Sequence, residues 1–355
     1  MSTLGSKLRI GVVGLGGNTR LRHVPGLVAC GDVEIAAVCN RRPESTARAA
    51  AEFGIARQYE HWQDLIADPQ LDAVVVGTWP YLHCPITIAA LDAGKHVLCE
   101  ARMAMNVVEA REMLSAAERN PKLVAQLVPS PLGLGIDRTV KRLLREGHCG
   151  RSYLGELREA IIIATNDALA DPASPLHWRQ VASLSGVNML MLGIVHETFT
   201  RWLAGPTRVF AQAAAFTPER RDPDTGVTLP VGTPDSVQVL ARAACGAQVI
   251  YHASGITRFG PGAQIHLYGT EGTLRIELSP QERIFGARHG DKALDELPIP
   301  AQERGGWNVE ADFVASIREG RPVSFTDFPA GVRYMEFTDA VARSAATNEV
   351  VELAP

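Results

Sequence analysis

The sequence predicts an α/β protein in which a doubly wound parallel sheet is followed by an α+β domain with an open, mainly antiparallel sheet. In the first half, short apolar strands alternate with helical patterns, as they do in parallel sheets covered by helices on both faces. In the second half, successive strand-like runs are separated by turn residues, which indicates an antiparallel sheet. A chain of 355 residues favours two domains, and we place them at 1–128 and 129–355.

The first half contains the elements of a doubly wound sheet in alternating order. The predicted strands are Leu8–Val13, Val33–Val38, Ala73–Gly77, His96–Cys99 and Leu123–Leu127. The predicted helices are Pro43–Phe53, Pro85–Ala93 and Val107–Arg119. Gly94 is a good stop residue for the second of these helices, and Pro129 and Pro131 mark the exit from this half.

The second half has a different order of elements. Its predicted strands are Tyr153–Ile163, Arg208–Phe216, Ser236–Ala243, Gln248–Ala253, Gln264–Tyr268 and Thr273–Glu277. Its predicted helices are Asp137–Arg145, Asn188–Leu203, Val309–Arg318 and Pro329–Ala346. The segment Thr217–Pro234 is rich in Pro, Asp, Thr and Gly, and it is predicted to be the most mobile loop.

Composition excludes several function classes. A formal net charge of −4 provides no basic field, so nucleic acid is not expected as a partner. No apolar stretch is long enough for a bilayer, and Met1–Lys7 lacks the apolar core of a secretory signal. Six cysteines are scattered without metal-ligand spacing: Cys30, Cys39, Cys84, Cys99, Cys149 and Cys245. We therefore expect a cytoplasmic protein with reduced cysteines, no metal and a small-molecule substrate.

The first forty residues predict a bound dinucleotide. Leu8–Val13 leads into the turn Gly14-Leu15-Gly16-Gly17, and a helix and a second strand follow. Such a turn lets backbone amides approach a pyrophosphate at the positive end of a helix. The third fingerprint position is Thr19 rather than Gly or Ala, and the alternative is an ordinary tight turn. The residues predicted to bind the cofactor here are Gly14, Gly16, Gly17, Asn18 and Thr19.

Several further motifs extend over nearly the whole chain. They are Arg22-His23-Val24-Pro25, Ala93-Gly94-Lys95-His96-Val97, Trp178-Arg179, Trp202-Leu203-Ala204-Gly205 and Tyr268-Gly269-Thr270-Glu271-Gly272-Thr273. With these motifs the sequence resembles the Gfo/Idh/MocA family of nicotinamide-dependent oxidoreductases. The resemblance implies a Rossmann domain, an open-sheet domain and a substrate that lies between them, against the nicotinamide ring. It also implies a homo-oligomer, dimer or tetramer, formed through the C-terminal sheet.

The end of the second strand bears on the choice of cofactor. An acidic residue there normally accepts hydrogen bonds from the adenine ribose, whereas this chain has Asn40 followed by Arg41 and Arg42. Losing the carboxylate removes repulsion toward a 2′-phosphate, and a guanidinium can bind that phosphate or stack on adenine. The sequence thus favours NADP over NAD. The alternative is that Arg41 and Arg42 are solvated loop charges.

The expected catalytic motifs are altered. The family carries Glu-Lys-Pro after the fifth strand, with the lysine hydrogen-bonded to the reacting hydroxyl. Here the segment is Glu100-Ala101-Arg102, so the lysine position holds an alanine. A second family motif, Asp-x-Gly-x-His-x-x-Asp, aligns without gaps to Met191, Val195 and Thr198 at its acid–base positions. A one-residue slip would bring His196 into the histidine position.

Other side chains are candidates for the missing roles. The loop Thr78-Trp79-Pro80-Tyr81-Leu82-His83 follows the fourth strand, at the sheet edge where ligands bind. Tyr81, His83 and His196 are the candidate proton carriers, although His83 could equally cap a helix. Further candidates for the cofactor are Asn40, Arg41, Thr78, Trp79, His83, Glu100 and Arg102. Candidates for the substrate are Arg102, Gln126, Trp178, Arg179, Asn188 and His196.

These features predict an NADP-dependent oxidoreductase, with NAD possible, that acts on a sugar-derived, polyol or cyclic hydroxy or carbonyl compound. Its acid–base residues would differ from those of the family. Two alternatives stay open at this point, because function depends on the site and not on the scaffold. One is a non-catalytic dinucleotide-binding protein. The other is a lyase or hydrolase that uses the cofactor transiently.

Overall fold

The computed structural model describes residues 7–145 and 153–353, so Cys149 lies outside the described residues. The chain forms two units, and the first break lies after Pro129. Residues 308–335 belong to the first unit, whereas the sequence placed them in the second domain with the rest of 129–355. They join the first unit because Thr326 and Asp327 extend its sheet beside Leu127 and Gln126.

The strands and helices are numbered in chain order. The strands are β1 Leu8–Val13, β2 Val33–Cys39, β3 Arg57–Tyr59, β4 Ala73–Val76, β5 His96–Cys99, β6 Ala125–Leu127, β7 Leu157–Thr165, β8 Pro206–Ala214, β9 Glu219–Arg221, β10 Thr228–Pro230, β11 Ser236–Ala243, β12 Gln248–Ser254, β13 Ala263–Gly269, β14 Gly272–Glu277, β15 Arg283–Arg288, β16 Asp295–Leu297, β17 Thr326–Asp327 and β18 Val351–Glu352. The helices are α1 Val24–Ala29, α2 Pro43–Phe53, α3 Trp62–Ala67, α4 His83–Asp92, α5 Val107–Arg119, α6 Asp137–Arg145, α7 Ala182–Ser185, α8 Leu192–Thr200, α9 Val309–Glu319 and α10 Phe328–Thr347.

The first unit contains a seven-stranded sheet in the order β17-β6-β5-β4-β1-β2-β3. All neighbours are parallel except β17, which runs antiparallel to β6. Every residue of β4 is buried, as expected of a central strand covered on both faces. The doubly wound sheet is therefore confirmed. The sequence analysis missed β3 and α3, because a three-residue strand and a six-residue helix are too short to show a period.

The strand register places the first residues of four loops along one edge of this sheet. Val13 pairs with Cys39 and with Val76, and Val76 pairs with Cys99. Since these strands are parallel, the residues that follow their carboxyl ends lie along the same edge, where ligands bind in such sheets. These residues are Gly14, Asn40, Gly77 and Glu100.

The second unit contains a nine-stranded sheet in the order β16-β15-β14-β13-β7-β12-β11-β8-β18. Its neighbours are antiparallel except β7 and β12, which run parallel. Alternate residues of β7 and β13, such as Ile162 and Ile265, are buried in a core with Val195 and Phe199 of α8. The mainly antiparallel sheet is confirmed, and residues 201–203 lie beyond the end of α8.

The segment Thr217–Pro234 differs from its prediction. The structure forms it into a hairpin of β9 and β10 rather than an irregular loop. The carboxylate of Asp222 accepts hydrogen bonds from the backbone N–H groups of Asp224 and Thr225, and Gly226 supplies a φ of 72°. The turn residues that suggested mobility thus build the tip of a hairpin. Among the described residues, no helix combines the length and apolar character needed to cross a membrane.

Candidate functional site

Two glycines bring the loops after β1 and β4 into backbone contact. Gly14 has a φ of 85°, and a Cβ there would lie 2.6 Å from the backbone N of Thr78. A Cβ on Gly77 would lie 2.5 Å from the carbonyl oxygen of Gly14. A larger residue at either position would therefore force the two loops apart, since backbone atoms cannot yield as a flexible side chain can.

The next two glycines leave open space at the start of a helix. Gly16 and Gly17 are exposed. A Cβ on Gly16 would have only the Gly14 oxygen within 4 Å, at 4.0 Å, and one on Gly17 would have nothing. Helical residues begin at Gly17 and continue through the π-helical turn Thr19–His23 into α1. The N–H groups of a first helical turn have no acceptors inside the helix, so they can bind an anion.

Thr19 and Asn40 hold this glycine turn in place. The Thr19 hydroxyl donates to the carbonyl of Gly14 at 3.2 Å. The Oδ1 atom of Asn40 accepts from the backbone N of Leu15 at 2.7 Å, and its Nδ2 atom donates to the carbonyl of Ser45 at 3.1 Å. Both residues were predicted to bind the cofactor, and the structure gives them contacts that shape the turn.

Arg41 lies beside the loop that follows β4. The Cζ atom of its exposed side chain is 5.2 Å from the centroid of the Trp79 ring, within range of a cation–π contact. Residues 40–42, which follow β2, contain no carboxylate. The structure thus brings two predicted cofactor residues together at the sheet edge.

A buried ionic triad lies next to the turn, and sequence reasoning did not find it. We call His23, Glu100 and Glu310 the carboxylate–imidazole triad. The Nε2 atom of His23 is 2.9 Å from Oε1 of Glu100, and its Nδ1 atom is 2.5 Å from Oε1 of Glu310. His23 has no exposed surface. The amide of Asn18 also donates to Glu100, so the triad is joined to the glycine turn.

The triad favours a protonated imidazole. Burial alone would lower the pKa of His23, but the hydrogen bonds and charges of Glu100 and Glu310 outweigh it and raise that pKa to about 9. For Glu100, burial opposes ionisation, while the bond to His23 lowers its pKa below the ordinary value. An imidazolium between two carboxylates has a net charge of −1. The sequence had singled out His23, in the Arg-His-Val-Pro motif, and Glu100, after the fifth strand, but nothing in it joined them to each other or to the distant Glu310.

Gly26 makes room for the third member of the triad. A Cβ at this position in α1 would lie 2.6 Å from Oε2 of Glu310. The carboxylate of α9 therefore approaches the α1 backbone directly. The other triad carboxylate, Glu100, also accepts a hydrogen bond from the backbone N of Ala101, at 3.1 Å. Ala101 itself has no side-chain group that can transfer a proton.

His83 joins two loops rather than facing a ligand. Its Nδ1 atom lies 2.9 Å from the carbonyl oxygen of Arg102 and its Nε2 atom 2.9 Å from that of Thr78. The ring is fully buried, and burial lowers its pKa. A neutral imidazole has one N–H, so it donates to only one of these carbonyls. This packing disfavours the predicted role of His83 in proton transfer.

Arg102 and Tyr81 differ in their exposure. Arg102 is buried, with 5% of its surface exposed, and the peptide bond that joins it to Ala101 is cis. The next residue, Met103, donates its backbone N–H to the hydroxyl of Tyr334. Tyr81 is half-buried on the loop after β4, so it is the accessible member of the three predicted proton carriers.

His196 lies in the core of the second unit. Its Nδ1 atom is 2.9 Å from the hydroxyl of Tyr251, and its ring stacks on Phe337 with centroids 3.7 Å apart. Burial lowers the pKa of His196 to about 3, so the ring is neutral. Val195, one position earlier, is also buried. The structure thus disfavours the predicted roles of His196 in proton transfer and substrate binding.

Gln126 and Asn188 are buried, and their amides bond to backbone carbonyls. The Nε2 atom of Gln126 donates to Val309 at 3.2 Å. The Nδ2 atom of Asn188 donates to Ser185 at 2.6 Å. These contacts favour a role in holding the backbone over the predicted role in substrate binding.

Trp178 and Arg179 form a stacked pair on a short turn of the second unit. The Cζ atom of Arg179 lies 4.4 Å from the Trp178 ring centroid. His177 caps this turn, because its Nδ1 atom accepts from the backbone N of Arg179 at 3.2 Å. Arg179 is exposed and Trp178 half-buried, so both can meet a ligand. No group of three or more potential metal ligands occurs among the described residues.

Known protein families match both halves of this chain. The profile of an oxidoreductase family with an NAD-binding Rossmann fold (Gfo/Idh/MocA) matches residues 8–127, and that of the GFO/IDH/MocA C-terminal domain matches residues 138–275. Levoglucosan dehydrogenase of Pseudarthrobacter phenanthrenivorans is 27% identical to this chain, over 89% of this chain's length and 88% of the dehydrogenase's length. The dTDP-3,4-didehydro-2,6-dideoxy-alpha-D-glucose 3-reductase of Streptomyces antibioticus is 30% identical over 88% of this chain and 90% of its own. The solved structure of levoglucosan dehydrogenase in complex with NADH and L-sorbose matches with a TM-score of 0.82 and 26% identity, over 98% of this chain and 99% of that one.

Proposed function

The chain belongs to the Gfo/Idh/MocA oxidoreductase family, and from that premise we propose its cofactor preference, substrate class and proton carrier. It is an NAD(P)-dependent oxidoreductase, in a family of sugar and polyol dehydrogenases and reductases. We propose that it transfers hydride between NADP and a sugar-derived, polyol or cyclic hydroxy or carbonyl compound. Its acid–base residue is not the family lysine.

The open glycine turn is the observation that carries this proposal. A Cβ on Gly16 or Gly17 would meet almost nothing within 4 Å, so a pyrophosphate can approach the turn, and the helix that begins there supplies N–H groups. Asn18 lies at the same turn, while Thr19 and Asn40 keep it in shape. When bound, the nicotinamide supplies the hydride chemistry, and the protein supplies position and electrostatics.

The NADP preference rests on Arg41. Its guanidinium is exposed beside Trp79, and residues 40–42 contain no carboxylate that would repel a 2′-phosphate. In this proposal Arg41 binds that phosphate while Trp79 supports the guanidinium. The solved relative named above holds NADH, so the affinities of this chain for NADP and NAD are to be compared directly by calorimetry.

Substrate contacts are proposed at Trp178 and Arg179. A stacked aromatic and guanidinium pair offers an apolar face and several hydrogen-bond donors, which suits the mixed surface of a sugar ring. The levoglucosan dehydrogenase and the deoxysugar reductase named above support a sugar-derived substrate. Gln126, Asn188 and Arg102 are buried, and we propose them as supports of the site backbone.

Tyr81 is the proposed proton carrier. Ala101 cannot hold a proton, and both candidate histidines are fully buried and bonded within the fold. Tyr81 is accessible on the loop that follows β4, at the ligand edge of the sheet. A phenol can donate a proton to an alkoxide and accept it back. No proton step is assigned to the carboxylate–imidazole triad.

A homo-oligomer is proposed through the uncovered face of the second sheet. Phe210, Leu240, Ile250 and Ile161 are successive cross-strand neighbours on that face. Leu240 is 58% exposed and Ile250 42%, so the row is an apolar strip of the kind that interfaces cover. Light scattering of the native protein and of a Leu240→Glu variant tests this, and a monomeric native protein would contradict it.

The function is tested by following NADPH and NADH absorbance with a panel of sugars, polyols and cyclic ketones. We expect cofactor oxidation or reduction with at least one member of the panel, and faster turnover with the phosphorylated cofactor. Tight cofactor binding without any turnover would instead favour a non-catalytic dinucleotide-binding protein. Product formation without net change in the cofactor would favour a lyase or hydrolase.

A further inference from the structure

The hairpin of β9 and β10 is held together by its own hydrogen bonds. Three ladder pairs join its strands, and its tip is closed by Asp222, whose N–H donates to Val227 at 2.8 Å and whose carbonyl accepts from Gly226 at 2.9 Å. Arg221 adds a bond from its Nε atom to the Gly226 carbonyl at 3.1 Å. A hairpin of this kind can act as a fixed support for a neighbouring segment.

The hairpin and the residues that follow it bind the segment 169–180 at several points. The backbone N of Leu176 donates to Arg221 at 2.8 Å, and the backbone N of Gly232 donates to Gln180 at 2.8 Å. The hydroxyl of Thr233 donates to the carbonyl of Arg179 at 3.0 Å. The backbone that carries Trp178 and Arg179 is therefore held on both sides.

Arg220 makes three side-chain hydrogen bonds to this segment. Its Nη1 atom donates to the carbonyls of Asp171 and Ser174 at 2.8 and 2.9 Å, and its Nη2 atom donates to Leu169 at 2.7 Å. The side chain is only 2% exposed. No carboxylate pairs with it in the part of the chain that the structure describes, so three backbone carbonyls compensate the buried charge.

The geometry of these bonds requires a planar guanidinium. The two Nη atoms of the guanidinium donate in fixed directions to three carbonyls of one loop. The single nitrogen of a lysine ammonium cannot donate in the same directions. Movement of that loop would also cost free energy. Each hydrogen bond that Arg220 lost would leave part of its buried charge with neither a carbonyl nor water to compensate it. Arg220 therefore converts the hairpin into a rigid mount for the loop.

We propose that the β9–β10 hairpin is a clamp that fixes the loop bearing Trp178 and Arg179, and that Arg220 is its positioning residue. This deepens the proposed function and rests on it, because these two side chains are the proposed substrate contacts. Arg220 touches neither substrate nor cofactor. It keeps the stacked pair in one place, so that a sugar ring meets a preformed surface and the loop does not have to be ordered on binding.

Hydrogen exchange of the whole protein tests the clamp without a substrate. In Arg220→Lys we expect amides of 169–180 to exchange about tenfold faster or more, as a loop that has lost its restraints opens more often. Thr233→Val, which removes one bond to the same loop, should give a smaller increase in exchange and remains informative if Arg220→Lys does not fold. Arg258→Lys is the matched control, since Arg258 is exposed and donates one long hydrogen bond, at 3.4 Å, to the carbonyl of Ala170 in the same segment. Unchanged exchange in both test variants would overturn the proposal.

Steady-state kinetics with a sugar from the panel tests the positioning role. Arg220→Lys should raise KM for the sugar about tenfold or more through misplacement of the contacts, with kcat changed less and the Kd for NADPH unchanged. A merely structural defect would lower the active fraction and leave KM unchanged. Faster exchange with an unchanged KM would reject the positioning role while the proposed oxidoreductase function stands. Should the native protein turn over no sugar, the proposed function fails, and exchange alone decides whether the clamp exists.

Discussion

The carboxylate–imidazole triad predicts a specific dependence of stability on pH. His23 has an ordinary pKa of 6.5 and a pKa of about 9 in the folded chain, where Glu100 and Glu310 hold its imidazolium. Because the folded pKa is raised, the stabilisation is fully present below about pH 6.5 and is lost as the pH rises through about 9. Between these limits the folded chain binds a proton that the unfolded chain does not.

The size of the effect follows from the shift. A difference of about 2.5 units at 1.36 kcal/mol per unit gives roughly 3 kcal/mol between pH 6 and pH 10. The side chain has no exposed surface, so solvent screening does not reduce this figure strongly. The perturbation that isolates it is His23→Gln, which keeps a hydrogen-bond donor and loses the titrating charge.

The assay is urea unfolding of the native protein and of His23→Gln at a series of pH values. NADPH should stabilise the unit that binds it, so the unfolding transition that shifts when NADPH is added is assigned to the first unit. At each pH the free energy of unfolding of the variant is subtracted from that of the native protein. We expect this difference to be about 3 kcal/mol larger at pH 6 than at pH 10. His289→Gln is the control, since His289 is exposed. A gap between native protein and His23→Gln that does not change with pH would refute the protonated triad.

Three further predictions concern the sheet edge. Arg41→Ala should weaken NADP binding at least tenfold and leave NAD binding nearly unchanged, because only the 2′-phosphate loses a charged partner; equal losses in calorimetry would remove Arg41 from the phosphate site. Gly14→Ala should lower the free energy of unfolding by more than about 1 kcal/mol from its φ of 85° alone, and the close contact with Thr78 adds to that; an unchanged urea midpoint would contradict the backbone contact. Tyr81→Phe should lower kcat about a hundredfold or more with the Kd for NADPH unchanged, and an unaltered kcat would assign the proton to another group.

Local chemistry in the sequence predicted much of the fold. The ranges of α2, β5, α5 and β11 agree with their predictions at both ends. In these elements the apolar period and the end residues point the same way, as for α2, which Pro43 begins and Gly54 ends. The sequence analysis did not predict that residues 308–335 belong to the first unit, because the pairing of Thr326 with Leu127 leaves no local signal in the sequence.

The candidate site was predicted less completely. The sequence predicted the glycine turn, which the structure forms. It also placed Arg41 at the same strand-end edge, where the side chain contacts Trp79. The sequence also marked His83 and His196 as proton carriers, but both rings are buried. Both nitrogens of His83 and the Nδ1 atom of His196 lie within hydrogen-bond distance of groups of the fold. Residue type states what a histidine can do, and only packing decides whether its proton is accessible.

The sequence by itself determined the two kinds of sheet, the glycine turn and the alanine at position 101. Each is a matter of local composition or of one residue at a fixed place after a strand. Tertiary structure alone decided that Glu310 meets His23 and that Arg220 binds the loop of Trp178. These contacts join residues far apart in the chain. Their strength comes from burial, which removes the water that would otherwise screen charge and compete for hydrogen bonds.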